Sequence, residues 1–169
     1  MTAGRDEQGG EWVSFIAKEL DREYDRRDVL NARASTAITG ATTLVTISLA
    51  VLALLKGQHC TVSGALGVGS LSGALVLLLT AAVLGILAGA SGGRFELAAV
   101  GDMRRMLGNE LWGADNVDAR NYTAQLNLVA IRSLRAGNGV KYRLLVLSFF
   151  AQAVGVMLLV VFAVTVVRG

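Results

Sequence analysis

His59 and Cys60 sit side by side, and each is the only residue of its kind in a chain of 169. A metal site takes three or four protein ligands, so one chain cannot build one from this pair. Two readings stay open: convergence of the pair from several copies, or a loop with an incidental thiol. Where the outside is oxidising, Cys60 can also form an intermolecular disulfide. A single cysteine excludes any disulfide within the chain. The sequence has no HExxH, no GxxxxGK followed by Ser or Thr, and no Cys-His cluster. Gly64, Gly67 and Gly69 imitate a phosphate-binding loop in composition only, because no strand precedes them. A serine or thiol nucleophile has no histidine on its side of the membrane. The chain therefore reads as a non-enzyme with no cofactor.

The polar groups that remain lie in apolar surroundings. Ser35, Thr39, Thr42 and Thr46 recur at steps of four, three and four, which is one face of a helix. Such hydroxyls can bond back to their own helix carbonyls and pack against neighbours. They can also line a water-filled path when several copies assemble. Gln152 is the one other large polar side chain in an apolar run; it is a further candidate to line such a path, and it can bond across helices.

Three uncharged stretches hold these groups. Residues 34–55 number 22, or roughly 33 Å as a helix, enough for a hydrocarbon core of about 30 Å. Residues 63–93 form the second span and residues 144–167 the third. None of the three holds an ionisable residue to couple transport, which argues against a transporter. Along the second span, Gly69, Gly73, Ala81, Gly85, Gly89 and Gly93 stand four apart, with Leu77 interrupting. A ridge with so little side chain lets another helix approach closely, and a homo-oligomer assembled through this face is expected. The chain has no proline, so no span carries a proline kink.

Charge is concentrated in residues 1–33 and 94–143, with Lys56 and Arg168 outside them. In the first block Trp12, Ile16, Leu20 and Tyr24 follow at steps of four with Phe15 beside them, the apolar stripe of an amphipathic helix. Nothing breaks that helix before the first span, so one long helix is expected. In the second block Phe95, Ala99, Met103 and Met106 or Leu107 suggest a helix over 94–111. A second helix, capped by Asp115 or Asn116, should end in left-handed geometry at Gly137, Asn138 and Gly139. Lys141, Tyr142 and Arg143 suit the next membrane boundary. Fourteen of the sixteen lysines and arginines lie in these two blocks. The positive-inside rule then puts both blocks in the cytoplasm and the C-terminus outside. The first block is net −2 and the second net +3, so the two should dock. The opening segment lacks the form of a cleavable signal, and insertion through the spans is expected. The expected fold is all-α: three transmembrane helices, a lipid bilayer as partner, a small cytoplasmic helical bundle, and no nucleic-acid surface.

A charged helix through Asp28, Asn31 and Arg33 thus enters a first span, and a glycine-rich span and a cytosolic helical segment follow. Tyr122, Leu126, Ile131 and Leu134 then lead to Lys141, Tyr142, Arg143 and a last span. This layout, over roughly residues 12–165, resembles the small membrane effectors of bacterial anti-phage conflict systems, in particular the transmembrane effector of the Pycsar pyrimidine-cyclase systems. The resemblance implies a cyclic pyrimidine nucleotide, made by a partner cyclase, as trigger. It also implies that the effector impairs the inner membrane so that the infected cell dies. No ligand-binding residue carries over from it. An anionic nucleotide takes arginines and an aromatic face. Arg104, Arg105, Arg132 and Arg135, with Trp112 and Tyr122, are the cytosolic candidates. The same residues also serve as positive-inside charges and core aromatics. The alternative function is a structural or adaptor membrane protein that docks a cytosolic partner. The topology has a direct check: a cytoplasmic reporter fused after Gly169 should be inactive, and a tag at Asp115 should stay unlabelled from outside.

Overall fold

The structure, a computed structural model, describes residues 9–57, 65–91, 98–108 and 115–168. Among them stand four helices and no strand: α1 (Gly10–Gly57), α2 (Ala65–Ala90), α3 (Val100–Met106) and α4 (Asn116–Arg168). The fold is all-α. Three of the helices, α1, α2 and α4, are long and apolar enough to cross a membrane.

The long helices start where the chain supplies a stop. Gly9 has φ 79°, a left-handed conformation that glycine adopts freely, and its carbonyl accepts the Val13 amide at 3.1 Å. The Asp115 carbonyl accepts the Ala119 amide at 3.0 Å, which puts Asp115 at the cap position of α4. From Gly10 onward α1 is one continuous helix of 48 residues, as the unbroken sequence pattern leads one to expect.

One repeat organises all three long helices. On α1 the shielded positions include Val13, Ile16, Leu20, Glu23, Arg27, Leu30, Ala34, Ala37 and Ala41, at steps alternating three and four. On α2 they are Gly67, Leu71, Ala74, Leu78, Ala81, Gly85 and Ala88, at the same steps. On α4 Leu134, Asn138, Lys141, Leu145, Ser148, Gln152, Gly155, Leu159 and Phe162 continue the pattern. A mean step of 3.5 keeps a seam on one side of a slightly supercoiled helix.

The chain divides into two compact units. One comprises Met1–Val29 and Gly92–Gly139, the other Leu30–Ser91 and Val140–Gly169. In the second unit the core is built of small side chains. Leu30, Ala34, Ala37, Ala88 and Leu145 form one cluster, and Ala41, Ala81 and Ala151 another. The outside of this unit is apolar: Leu54, Leu66, Val76, Leu79, Phe150 and Met157 are all exposed. Interior polar groups under an apolar exterior are what a hydrocarbon solvent selects.

Several sequence expectations change here. The four-spaced ridge of α2 is not the packing face. Each step of four overshoots a full turn by about 40°, so from Gly69 to Gly93 the row turns through roughly 240°. It crosses the seam at Ala81 and Gly85, which are buried, and leaves it at Gly69 and Gly89, which are exposed. Gly93 lies outside the described residues. Two glycines of the row stand against this chain's own helices. A Cβ on Gly85 would stand 2.9 Å from the Ile38 side chain and 3.6 Å from the Ala34 carbonyl, and one on Gly73 would stand 3.2 Å from Leu158. Around Gly69 nothing lies within 4 Å.

The same drift removes Trp12 and Phe15 from their expected stripe. They are 72% and 63% exposed, and Val13 holds the seam position. The helix expected over 94–111 begins only at Val100: residues 98 and 99 are non-helical, and Leu107 and Gly108 turn out of it. Residues 92–97 and 109–114 lie outside the described residues. Nor does Gly137, Asn138 and Gly139 end a helix, because α4 runs straight through. Each glycine costs about 1 kcal/mol relative to alanine in a helix, and the packing of the buried Leu134 and Leu145 on either side offsets that.

The seam makes a graded prediction. Gly85→Leu should destabilise the protein by about 3 kcal/mol or more in detergent thermal melts, because the added side chain meets Ile38 and backbone. Gly69→Leu should leave the melting temperature unchanged.

Candidate functional site

Two sets of polar side chains sit on the seams, one in each unit. In the unit of Met1–Val29 and Gly92–Gly139, Glu23 is buried. Its carboxylate accepts Nε of Arg135 at 2.9 Å and Nδ2 of Asn138 at 3.1 Å. Asn138 also donates to the Glu23 carbonyl at 3.1 Å. Glu19 accepts Nη2 of Arg135 at 3.0 Å and pairs with Arg22 along its own helix. Both donations fix the Asn138 amide so that Oδ1 is left buried with no partner. The expected docking of an acidic N-terminal segment on a basic loop thus takes this form: Glu19 and Glu23 of α1 receive Arg135 of α4.

In the unit of Leu30–Ser91 and Val140–Gly169, α4 contributes three donors. Lys141 is 1% exposed and donates through Nζ to Oδ1 of Asn31 at 2.6 Å, with the Gly89 carbonyl at 3.5 Å. Ser148 donates to the Ala81 carbonyl at 2.7 Å. Gln152 donates to the Ala37 carbonyl at 2.9 Å. Alanine at 37 and 81 leaves those backbone oxygens within reach of a side chain from the next helix. Each of these bonds ties α4 to α1 or α2. Of the three residues expected at the membrane boundary, Lys141 is the one whose side chain is buried. It turns inward because position 141 falls on the 3.5-residue seam, while Tyr142 and Arg143 beside it are exposed. An ionisable group does lie inside the unit that holds the spans, although the uncharged stretches read from the sequence stop short of it.

The hydroxyl stripe lies on a different face of α1. Ser35, Thr39, Thr42 and Thr46 are all exposed. At about 100° per residue their face stands roughly 140° from the seam of Leu30, Ala34, Ala37 and Ala41. Thr42 donates to the Ile38 carbonyl at 2.9 Å and Thr46 to the Thr42 carbonyl at 2.9 Å. Gln152, expected on the same polar path, packs on the opposite side of α1 and does not join the stripe.

The candidate sensing residues are not gathered into one focus. Arg132 and Arg135 line one groove of about 550 Å³ with Leu128, Val129 and Ile131. Arg104 and Arg105 are exposed on α3, and Tyr122 is half-buried near the start of α4; none of the three lines that groove. Trp112, His59 and Cys60 lie outside the described residues. Sequence reading missed Glu23, Asn138 and Lys141 as inward groups. A strict count at steps of three and four from Leu134 through Leu145 would have found the latter two.

No protein-family model, curated protein or solved structure matches the chain. Fold and sites therefore define its class by themselves, and that class is a multi-pass helical membrane protein.

The Glu23–Arg135 pair can be weighed directly. Arg135 is 55% exposed, so solvent screening holds the pair to about 1 kcal/mol. Glu23→Gln should cost more, about 1–3 kcal/mol, because it also weakens the buried bond to Asn138. Hydrogen exchange at the amides of residues 128–139 in a Glu23→Gln, Arg135→Gln double-mutant cycle reads both terms.

Proposed function

We propose that the chain is a membrane effector. Several copies associate in the bacterial inner membrane, N-terminus in the cytoplasm and C-terminus outside, and breach it in an anti-phage response. The trigger in this proposal is a cyclic pyrimidine nucleotide from a partner cyclase. The observation that carries the reading is the exposed stripe of Ser35, Thr39, Thr42 and Thr46 on a unit whose exterior is otherwise largely apolar. Back-bonding uses the hydroxyl hydrogens of Thr42 and Thr46 and leaves the oxygen lone pairs as acceptors. Stripes from several copies, set against one another, offer oxygens in place of an ion's lost hydration.

The trigger rests on the resemblance to Pycsar effectors and on the exposed Arg104, Arg105 and Arg132. Arg135 is already held by Glu19 and Glu23, so a phosphate must compete with two carboxylates for it. A second reading, an adaptor that docks a cytosolic partner, is favoured by the exposure of Trp12 and Phe15, since exposed aromatics are what protein partners bury.

Dye release from vesicles carrying the full chain, with and without cyclic nucleotides, separates the two. Release supports the effector, and its absence at every nucleotide supports the adaptor. The triple variant Thr39→Val, Thr42→Val, Thr46→Val keeps shape and removes three oxygens. If each contributes about 0.5 kcal/mol to the ion's coordination, leakage falls roughly tenfold with expression and oligomer size unchanged. Full leakage from the triple variant would mean that the hydroxyls only pack.

A further inference from the structure

We propose that α3 is a surface-lying helix whose partner is the anionic headgroup layer of the membrane the chain itself spans. The short helix Val100–Met106 contains no buried residue. Val100 and Leu107 are 72% and 71% exposed, and Met103 is 47% exposed. At about 100° per residue these three fall within one sector of some 60°. Arg104 flanks that sector, Asp102 stands about 130° from its centre, and Arg105 lies nearly opposite. The Asp102 carboxylate accepts the Ala99 amide at 3.2 Å, which closes the helix start and occupies the acid locally. The result is a helix with an uncovered apolar edge, a basic flank and its one acid on the far side.

The chain chooses the occupant. Nine residues separate Val100 from Ala90, the last residue of α2. Helix α2 has 26 residues, or roughly 39 Å, and outlasts a hydrocarbon core of about 30 Å. Its end therefore stands at the headgroups, and the connecting chain can reach no farther than about 35 Å. A tethered segment needs little intrinsic affinity, because the tether holds it at high effective concentration beside the bilayer. Apolar side chains at the acyl boundary with arginine at headgroup level is the arrangement of interfacial helices, and arginine adds attraction to anionic lipid. This inference requires only that the chain spans a membrane and does not depend on the effector reading.

The test uses the full chain in vesicles with Cys60→Ser and one nitroxide-labelled cysteine at a time, at Val100, Met103, Leu107, Asp102 or Arg105. A label at Leu79, on the apolar exterior of α2, calibrates the hydrocarbon signal. In vesicles containing phosphatidylglycerol, labels at 100, 103 and 107 should collide preferentially with oxygen, and labels at 102 and 105 with a water-soluble nickel chelate. Arg104→Gln behind the Met103 label should lower the ratio of inserted to free helix about fivefold, the factor for one arginine near an anionic surface. Equal nickel access at all five positions would overturn the proposal. So would shielding of 100, 103 and 107 from both reagents, which would mean a protein covers the face. An inserted fraction that ignores both Arg104→Gln and the removal of phosphatidylglycerol would overturn the anionic part of it.

Discussion

Everything in the membrane unit depends on how closely three helices approach. In hydrocarbon no hydrophobic effect presses apolar helices together, so contact area and hydrogen bonds across helices must do so. Alanine and glycine at the seam positions supply the contact: Ala34, Ala37 and Ala41 on α1, Ala74, Ala81, Gly85 and Ala88 on α2, and Ala151 and Gly155 on α4. Among the described glycines the tightest is Gly85, where an added Cβ would stand 2.9 Å from the Ile38 side chain. Only with the backbones that close can Ser148 and Gln152 reach the carbonyls of Ala81 and Ala37. The polar bonds are thus a consequence of the small residues, and each removes an exit from the packed arrangement.

A seam of small residues leaves register weakly specified, since one alanine resembles the next. Polar groups at seam positions correct this. In coiled coils a single buried polar residue selects register at some cost in stability. Here Lys141 meets Asn31, and in the other unit Asn138 and Arg135 meet Glu23. Sliding a helix by one turn would strand a buried ammonium or carboxylate, at a penalty of several kcal/mol. The partly satisfied Asn138, with Oδ1 unpaired, fits the same economy: it specifies position while stabilising little.

The lengths and the charge gaps of the sequence sufficed to reveal three spans, the helical class and the pairing of an acidic segment with a basic one. The faces were harder to read. Spacing of four in Gly69, Gly73 and Gly85, or in Trp12, Ile16 and Leu20, catches the eye but drifts around a helix. The true seam alternates three and four and passes through residues of mixed character, such as Leu30, Ala34 and Glu23. Gly137 and Gly139 looked like a stop because local propensity ignores packing, and the buried Leu134 and Leu145 on either side overrule it. The charge of Lys141 places it beside a span and says nothing of which way its side chain turns. Its direction is fixed by a single-residue difference in helical phase from Tyr142.

Helix α1 carries two separate faces, and their separation bears on assembly. The seam face is spent inside the chain against α2 and α4. The hydroxyl face stands well away from it, and neither Gln152 nor any core residue blocks it. A second copy can therefore meet Ser35, Thr39, Thr42 and Thr46 without dismantling the three-helix core. Association along that face brings oxygens together and leaves the alanine seam untouched. Had the hydroxyls lain on the seam, they would have been consumed by the fold, as Ser148 is at Ala81.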